Sequence, residues 1–92
     1  MRKVKMIASG RVQGVGFRWA VQFLAMEIGD IYGRVWNNED GTVTILAQSD
    51  NSEKLSKFIH EIRKGPFRMA KVTYLDVTMA NFEDFTDFRM AN

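Results

Sequence analysis

The chain has no cysteine, one proline and one histidine. Without thiols there is neither a disulfide framework nor a thiolate metal site, so stability must come from packing alone, as suits a reducing compartment. The lone histidine, His60, follows Ile59 in a predicted helix and reads as a solvent-side residue rather than a catalytic base. Long apolar runs are also missing. The opening MRKVKMIASGR carries charges and matches neither a secretory signal nor a membrane span, so the expectation is a cytoplasmic protein with no membrane partner. Nor is there a strong charge of one sign. Thirteen Lys and Arg against eleven Asp and Glu leave a net charge of +2, too mild to imply nucleic acid. Such a balance favours a small anion only where positive charge is focused at a site.

At 92 residues and 46% hydrophobic, the chain can build one core and not two. Residues 1–92 are therefore read as a single domain, with no internal repeat, linker or low-complexity segment. Alternation over Lys3 to Ser9 predicts a strand with Val4, Met6 and Ala8 on one face. Phe17, Ala20, Val21, Leu24 and Ile28 share a helical face that ends at Gly29. Trp19, Phe23 and Met26 form a second apolar stripe on that helix, read as overflow from the core in preference to an interface, although a weak dimer would use it. Ile31 to Asn37 and Thr42 to Gln48 are β-rich runs joined by NEDG, which predicts a hairpin. Asp50 and Glu53 stand at capping-box spacing before a helix through Leu55, Phe58, Ile59 and Ile62. That helix is stopped by Gly65 and Pro66. Lys71 to Met79 reads as a strand and Phe85 to Met90 as a short last strand at an edge. The order βαββαβ plus one strand predicts an α+β fold, an antiparallel sheet with two helices on one face.

The densest signal is SGRVQGVGFR, which places Gly10, Gly14 and Gly16 within seven positions, between the first strand and the first helix. Glycines there let backbone N–H groups converge without an obstructing Cβ, and the helix start adds unpaired donors and partial positive charge. This is a nest for an anion. It is not a Walker motif, since no Gly-Lys-Ser/Thr follows, and no spaced acidic residue completes a dinucleotide fingerprint.

The run GRVQGVGFR resembles the signature of the acylphosphatase family. Gly33, Val35, Asn37, Asp40 and Gly41 in YGRVWNNEDG resemble its second element, and Gly65, Pro66, Ala70 and Val72 in KGPFRMAKV resemble a third. The resemblance spans nearly the whole chain. It implies a ferredoxin-like α/β sandwich and metal-independent hydrolysis of the carboxyl–phosphate bond, with no cofactor. It further implies a small-molecule acyl phosphate as substrate, inorganic phosphate as product and competitor, and a monomer. Carried over by position, it makes Arg18 the phosphate-binding arginine and Asn37 the residue that orients the attacking water. Arg11, Val12, Gln13, Gly14, Val15 and Gly16 form the phosphate cradle. Two departures bear on the wall of the site: Arg34 stands where the family has tryptophan, with Trp36 two residues on, and the connection Gly29 to Gly33 is one residue longer.

The residue chemistry agrees. Acyl phosphates have a good leaving group, so an enzyme need only hold the phosphoryl group, neutralise its oxygens and aim a water in line. Arg18 supplies a planar fork for two oxygens, and Asn37 can accept from a water without repelling the substrate. The acidic residues Glu39, Asp40, Glu83, Asp84 and Asp87 have no metal-ligand spacing. An RNA-binding module of the same element order needs aromatics on its central strands, and KVKMIAS and TVTILAQ have none. A non-catalytic sensor of phosphate or acyl phosphate would keep the nest and Arg18 without needing Asn37.

Overall fold

Strand alternation and helical periodicity place seven elements along the chain, and a computed structural model describes all of Met1–Asn92. They are β1 (Arg2–Arg11), α1 (Phe17–Ile28), β2 (Tyr32–Asn37), β3 (Val43–Ser49), α2 (Ser52–Lys64), β4 (Lys71–Met79) and β5 (Phe88–Met90). One sheet holds the strands in the order β4-β1-β3-β2-β5.

Pairing register sorts the side chains into two faces. Val4 sits opposite Ala47 and Ala47 opposite Gly33, so Met6, Ala8, Ile45, Val43 and Val35 share their face. Phe17, Val21 and Ala25 of α1 and Leu55, Phe58 and Ile62 of α2 complete one buried cluster with that face. Two helices on one face of the sheet are thus observed, as the sequence predicts.

The last strand differs from the expectation. It starts at Phe88 rather than Phe85, and it pairs with β2 in parallel, so the sheet is mixed. The cause lies in residues 80–87, which cross the face opposite the helices. Ala80 N–H donates to the Lys3 carbonyl, and Lys3 Nζ donates to the Phe82 carbonyl and pairs with Asp84 at 2.7 Å. The buried Gln48 exchanges hydrogen bonds with the Phe85 backbone. Arg34 lies 4.4 Å from the Phe85 ring centroid and pairs with Asp87 at 2.8 Å. These anchors step through β1, β3 and β2. The chain therefore reaches the far edge at the end where β2 begins and runs alongside it. Hydrogen bonds from Arg89 and then Arg34 hold the Asp87 carboxyl below the usual carboxylate range, so this anchor weakens as pH falls through the acid range.

Two further differences are local. β3 extends to Ser49, so α2 starts one residue later and its cap is Asn51, whose side chain accepts from Lys54 N–H at 3.0 Å. Asp50 is left exposed. In the other, the pairing of β1 with β4 shifts between Ser9 and Gly10. Gly10 has φ +123°, and a Cβ there would overlap the Lys71 carbonyl. Gly10 therefore belongs to the sheet rather than to the turn beyond it.

Gly33 is under a similar constraint, because a Cβ would overlap the Leu46 carbonyl of the neighbouring strand. Gly33→Ala is expected to cost about 3 kcal/mol through this overpacking. Urea denaturation of the two forms checks it, with an unchanged midpoint as the contrary result.

Candidate active site

β1, β2 and β5 run in the same direction, so Arg11, Asn37 and Met90 end near one another at one edge of the sheet. The turn from β1 into α1 lies at that edge. Val12 is buried and anchors it, while Gly14 (φ +74°) and Gly16 (φ +86°) take the left-handed conformation that a side chain disfavours. Gly16 is the N-cap of α1 and offers no side-chain acceptor, and no acidic residue occupies the first turn. The first helical bond is Ala20 N–H to the Gly16 carbonyl, 3.0 Å. The N–H groups of Phe17, Arg18 and Trp19 therefore stand uncapped at the positive end of the helix.

A cavity of about 130 Å³ opens there, lined by Val12, Gly14, Gly16, Arg18 and Asn37, with Phe17, Trp19 and Met90 beside them. It is well below the ~300 Å³ of ordinary small-molecule pockets, which suits a phosphoryl group rather than a nucleotide. Of the remaining cradle positions, Val15 packs against the core. Exposed Arg11 pairs with Lys71 at the end of β1. Gln13 turns its side chain away, donating from Nε2 to the carbonyls of Asn38 and Thr42 at 2.8 Å each, which sews the turn to the β2–β3 hairpin. In that hairpin Thr42 hydrogen bonds hold the Asp40 carboxyl below its ordinary range.

Arg18 is held from one side only. Its Nη1 donates to the Ala91 carbonyl at 3.2 Å, the Asn92 carbonyl at 2.6 Å and Asn92 Oδ1 at 3.0 Å. Its Nε–Nη2 edge makes no bond to the protein and remains a fork for an anion. Asn92 also grips the other key residue, since Asn37 N–H donates to Asn92 Oδ1 at 3.2 Å and Asn92 Nδ2 donates to the Asn37 carbonyl at 3.0 Å. Ala91 N–H joins Val35 at 2.9 Å. Sequence reading did not single out Asn92, and no motif or period marks it.

Asn37 Oδ1 is buried and has no hydrogen-bond partner in the protein. Buried acceptors left in this state are uncommon and point to a ligand or water. Its neighbour Asn38 is turned to the hairpin, with Nδ2 donating to Thr42 Oγ1 at 3.0 Å and Thr44 Oγ1 at 2.7 Å. The β2–β3 register is unbroken from Tyr32 to Asn37, so the longer connection before it causes no slip. The turn that precedes β2 holds Gly29 and Asp30, both at positive φ. Arg34 and Trp36 alternate onto the face away from the helices, so neither walls this cavity.

A larger cavity of about 680 Å³ lies between the C-terminal half of α1 and β5, beside Gln22, Met26, Tyr32 and Arg89. It has no helix N-terminus to receive an anion, and its glycine, Gly29, closes the C-terminal, negative end of α1. His60 is exposed on α2.

The sequence model of the acylphosphatase family matches residues 4–90. The chain belongs to the acylphosphatase family. An acylphosphatase of Lactococcus lactis is 56% identical over 98 aligned residues covering 98% of each chain. The solved structure of acylphosphatase from Bacillus subtilis superposes with a TM-score of 0.89 at 37% identity over all of both chains. An acylphosphatase from Coxiella burnetii gives 0.87 at 29% identity, covering 98% of this chain and 92% of that one. The acylphosphatase signature GRVQGVGFR is thus the stretch that forms the uncapped helix start.

Because Asn38 holds the hairpin through two side-chain bonds, Asn38→Ala is expected to destabilise the fold by about 1–3 kcal/mol. A thermal or urea melt measures it; full stability would show that these bonds contribute nothing.

Proposed function

We propose that the chain hydrolyses the carboxyl–phosphate bond of acyl phosphates at this cavity. The phosphoryl group rests on the N–H groups of the turn Arg11–Gly16 and of the first turn of α1. The free edge of Arg18 pairs with two of its oxygens. Asn37 Oδ1 accepts a hydrogen bond from a water and aims its lone pair at phosphorus, opposite the leaving carboxylate. The P–O bond to the acyl group breaks as the bond to water forms, and a phosphoryl oxygen takes the water's proton. The products are a carboxylate and inorganic phosphate.

The observation that carries this reading is the buried, unpaired Oδ1 of Asn37 in the cavity that Arg18 lines. A phosphate sensor has no need of an acceptor there, because an amide oxygen repels a phosphate rather than binding it. An amide suits the task better than a carboxylate, which would add a negative charge beside the anion. No side chain need act as general base, and the carboxylate leaves readily, so a cationic arginine suffices where other phosphatases employ metals.

The same reading makes inorganic phosphate a competitive inhibitor and the working unit a monomer. We place the protein in the cytoplasm, in keeping with its lack of cysteine; no helix is long and apolar enough to cross a membrane.

Two substitutions test the assignment on benzoyl phosphate. Asn37→Ala is expected to lower kcat about 10²-fold while the inhibition constant of phosphate stays nearly constant. Arg18→Lys keeps the charge but loses the fork, and is expected to lose about 10²-fold in kcat/KM and to weaken phosphate inhibition. Normal turnover in either variant overturns its assigned role. A chelator is expected to leave activity unchanged.

A further inference from the structure

The stripe Trp19, Phe23 and Met26 is not core overflow: the three side chains are 59%, 53% and 67% exposed. Part of it borders a second cavity, an apolar groove of about 410 Å³ formed by Val15, Trp19, Phe23, Leu24, Pro66 and Phe67. We propose that this groove holds the acyl group of the substrate and selects neutral, apolar acyl chains, an inference that rests on the acyl-phosphate reading above.

Continuity is the first argument. Gly16 and Trp19 line both the phosphate cavity and the groove. Gly16 sits at the join, where a Cβ would come into ordinary van der Waals contact with the Phe67 ring at 3.8 Å.

Direction is the second. In an in-line displacement the leaving oxygen lies opposite the attacking water. Asn37 borders the phosphate cavity but not the groove, whereas Gly16 and Trp19 border both. A water held by Asn37 therefore expels the acyl carboxylate toward the groove.

Chemistry is the third. Val15 and Phe67 pack against the core and fix the groove floor. Trp19 and Phe23 stack with ring centroids 5.2 Å apart, forming the outer wall. The only charged lining residue is Glu27. An acyl chain ending in a carboxylate meets no cation there, while an alkyl or phenyl group buries apolar surface against the floor and this wall. The volume falls within the range of small-molecule sites.

The test is the hydrolysis of acetyl, butyryl and hexanoyl phosphate by the intact chain and by Phe23→Ala, with sedimentation at the assay concentration. Phe23 touches no part of the phosphate cavity and is solvent-exposed, so its removal leaves the fold and the basal site in place. The wild-type kcat/KM is expected to rise about two- to fourfold per added methylene. In Phe23→Ala that rise flattens for hexanoyl phosphate while acetyl phosphate hydrolysis is unchanged. A flat wild-type series, or an equal loss on all three substrates, overturns the groove assignment while leaving the hydrolase reading intact. A flat series in a chain that sediments as a dimer gives the groove to a second copy instead. Failure to hydrolyse even acetyl phosphate overturns both readings.

Discussion

The start of α1 is left without a cap, and the arrangement around it follows from that. A Ser or Asp at the N-cap would stabilise the helix by roughly a few tenths of a kcal/mol over glycine and would occupy the N–H groups it satisfied. Gly16 forgoes that stabilisation and leaves the donors facing a cavity. The turn before it needs left-handed backbone at Gly14 and Gly16, so side chains are excluded where an anion approaches most closely. A functional site that contradicts the local rule for helix starts is where such a departure is expected.

An uncapped turn of two left-handed glycines is loose unless its surroundings fix it. Val12 plugs it into the core, and Gln13 ties it to two carbonyls of the β2–β3 hairpin. Residues 91–92 tie Arg18 to the end of β2 through Ala91 and Asn92. The Arg18 guanidinium and the end of β2 that carries the Asn37 amide are therefore mounted on one brace. Their separation is set by hydrogen bonds rather than by side-chain freedom, the preorganisation that electrostatic catalysis requires. Upstream, the crossing of residues 80–87 over the far face delivers β5, and with it this brace, to the correct edge of the sheet.

Much of this was legible in the residues themselves. The first helix runs from Phe17 to Ile28 as its periodicity predicts, and β4 from Lys71 to Met79. Both have local signals at each end. The glycine spacing pointed to an anion nest. What escaped depends on contacts between residues far apart in the chain. The parallel pairing of β5 follows from a crossing held by Lys3, Gln48 and Arg34, whose partners at Phe82, Asp84, Phe85 and Asp87 no local pattern indicates. Asn51 displaced the predicted cap because β3 ran one residue further, to Ser49, through its pairing with Arg2 of β1. Gly10 looked like part of the nest, although its positive φ serves the close approach of β4. The exposed stripe on α1 was misassigned because periodicity reports that a face is apolar, not what covers it.

A preorganised anion site at the helix start and its glycine turn would answer to inorganic phosphate at its own backbone amides, and a phosphate titration followed by backbone amide resonances reads this directly. Saturable shifts are expected at Gly14, Gly16, Phe17, Arg18 and Trp19, with little change at Gln22, Tyr32 and Arg89 around the larger cavity. Shifts confined to that larger cavity, or none at the helix start at saturating phosphate, would contradict it.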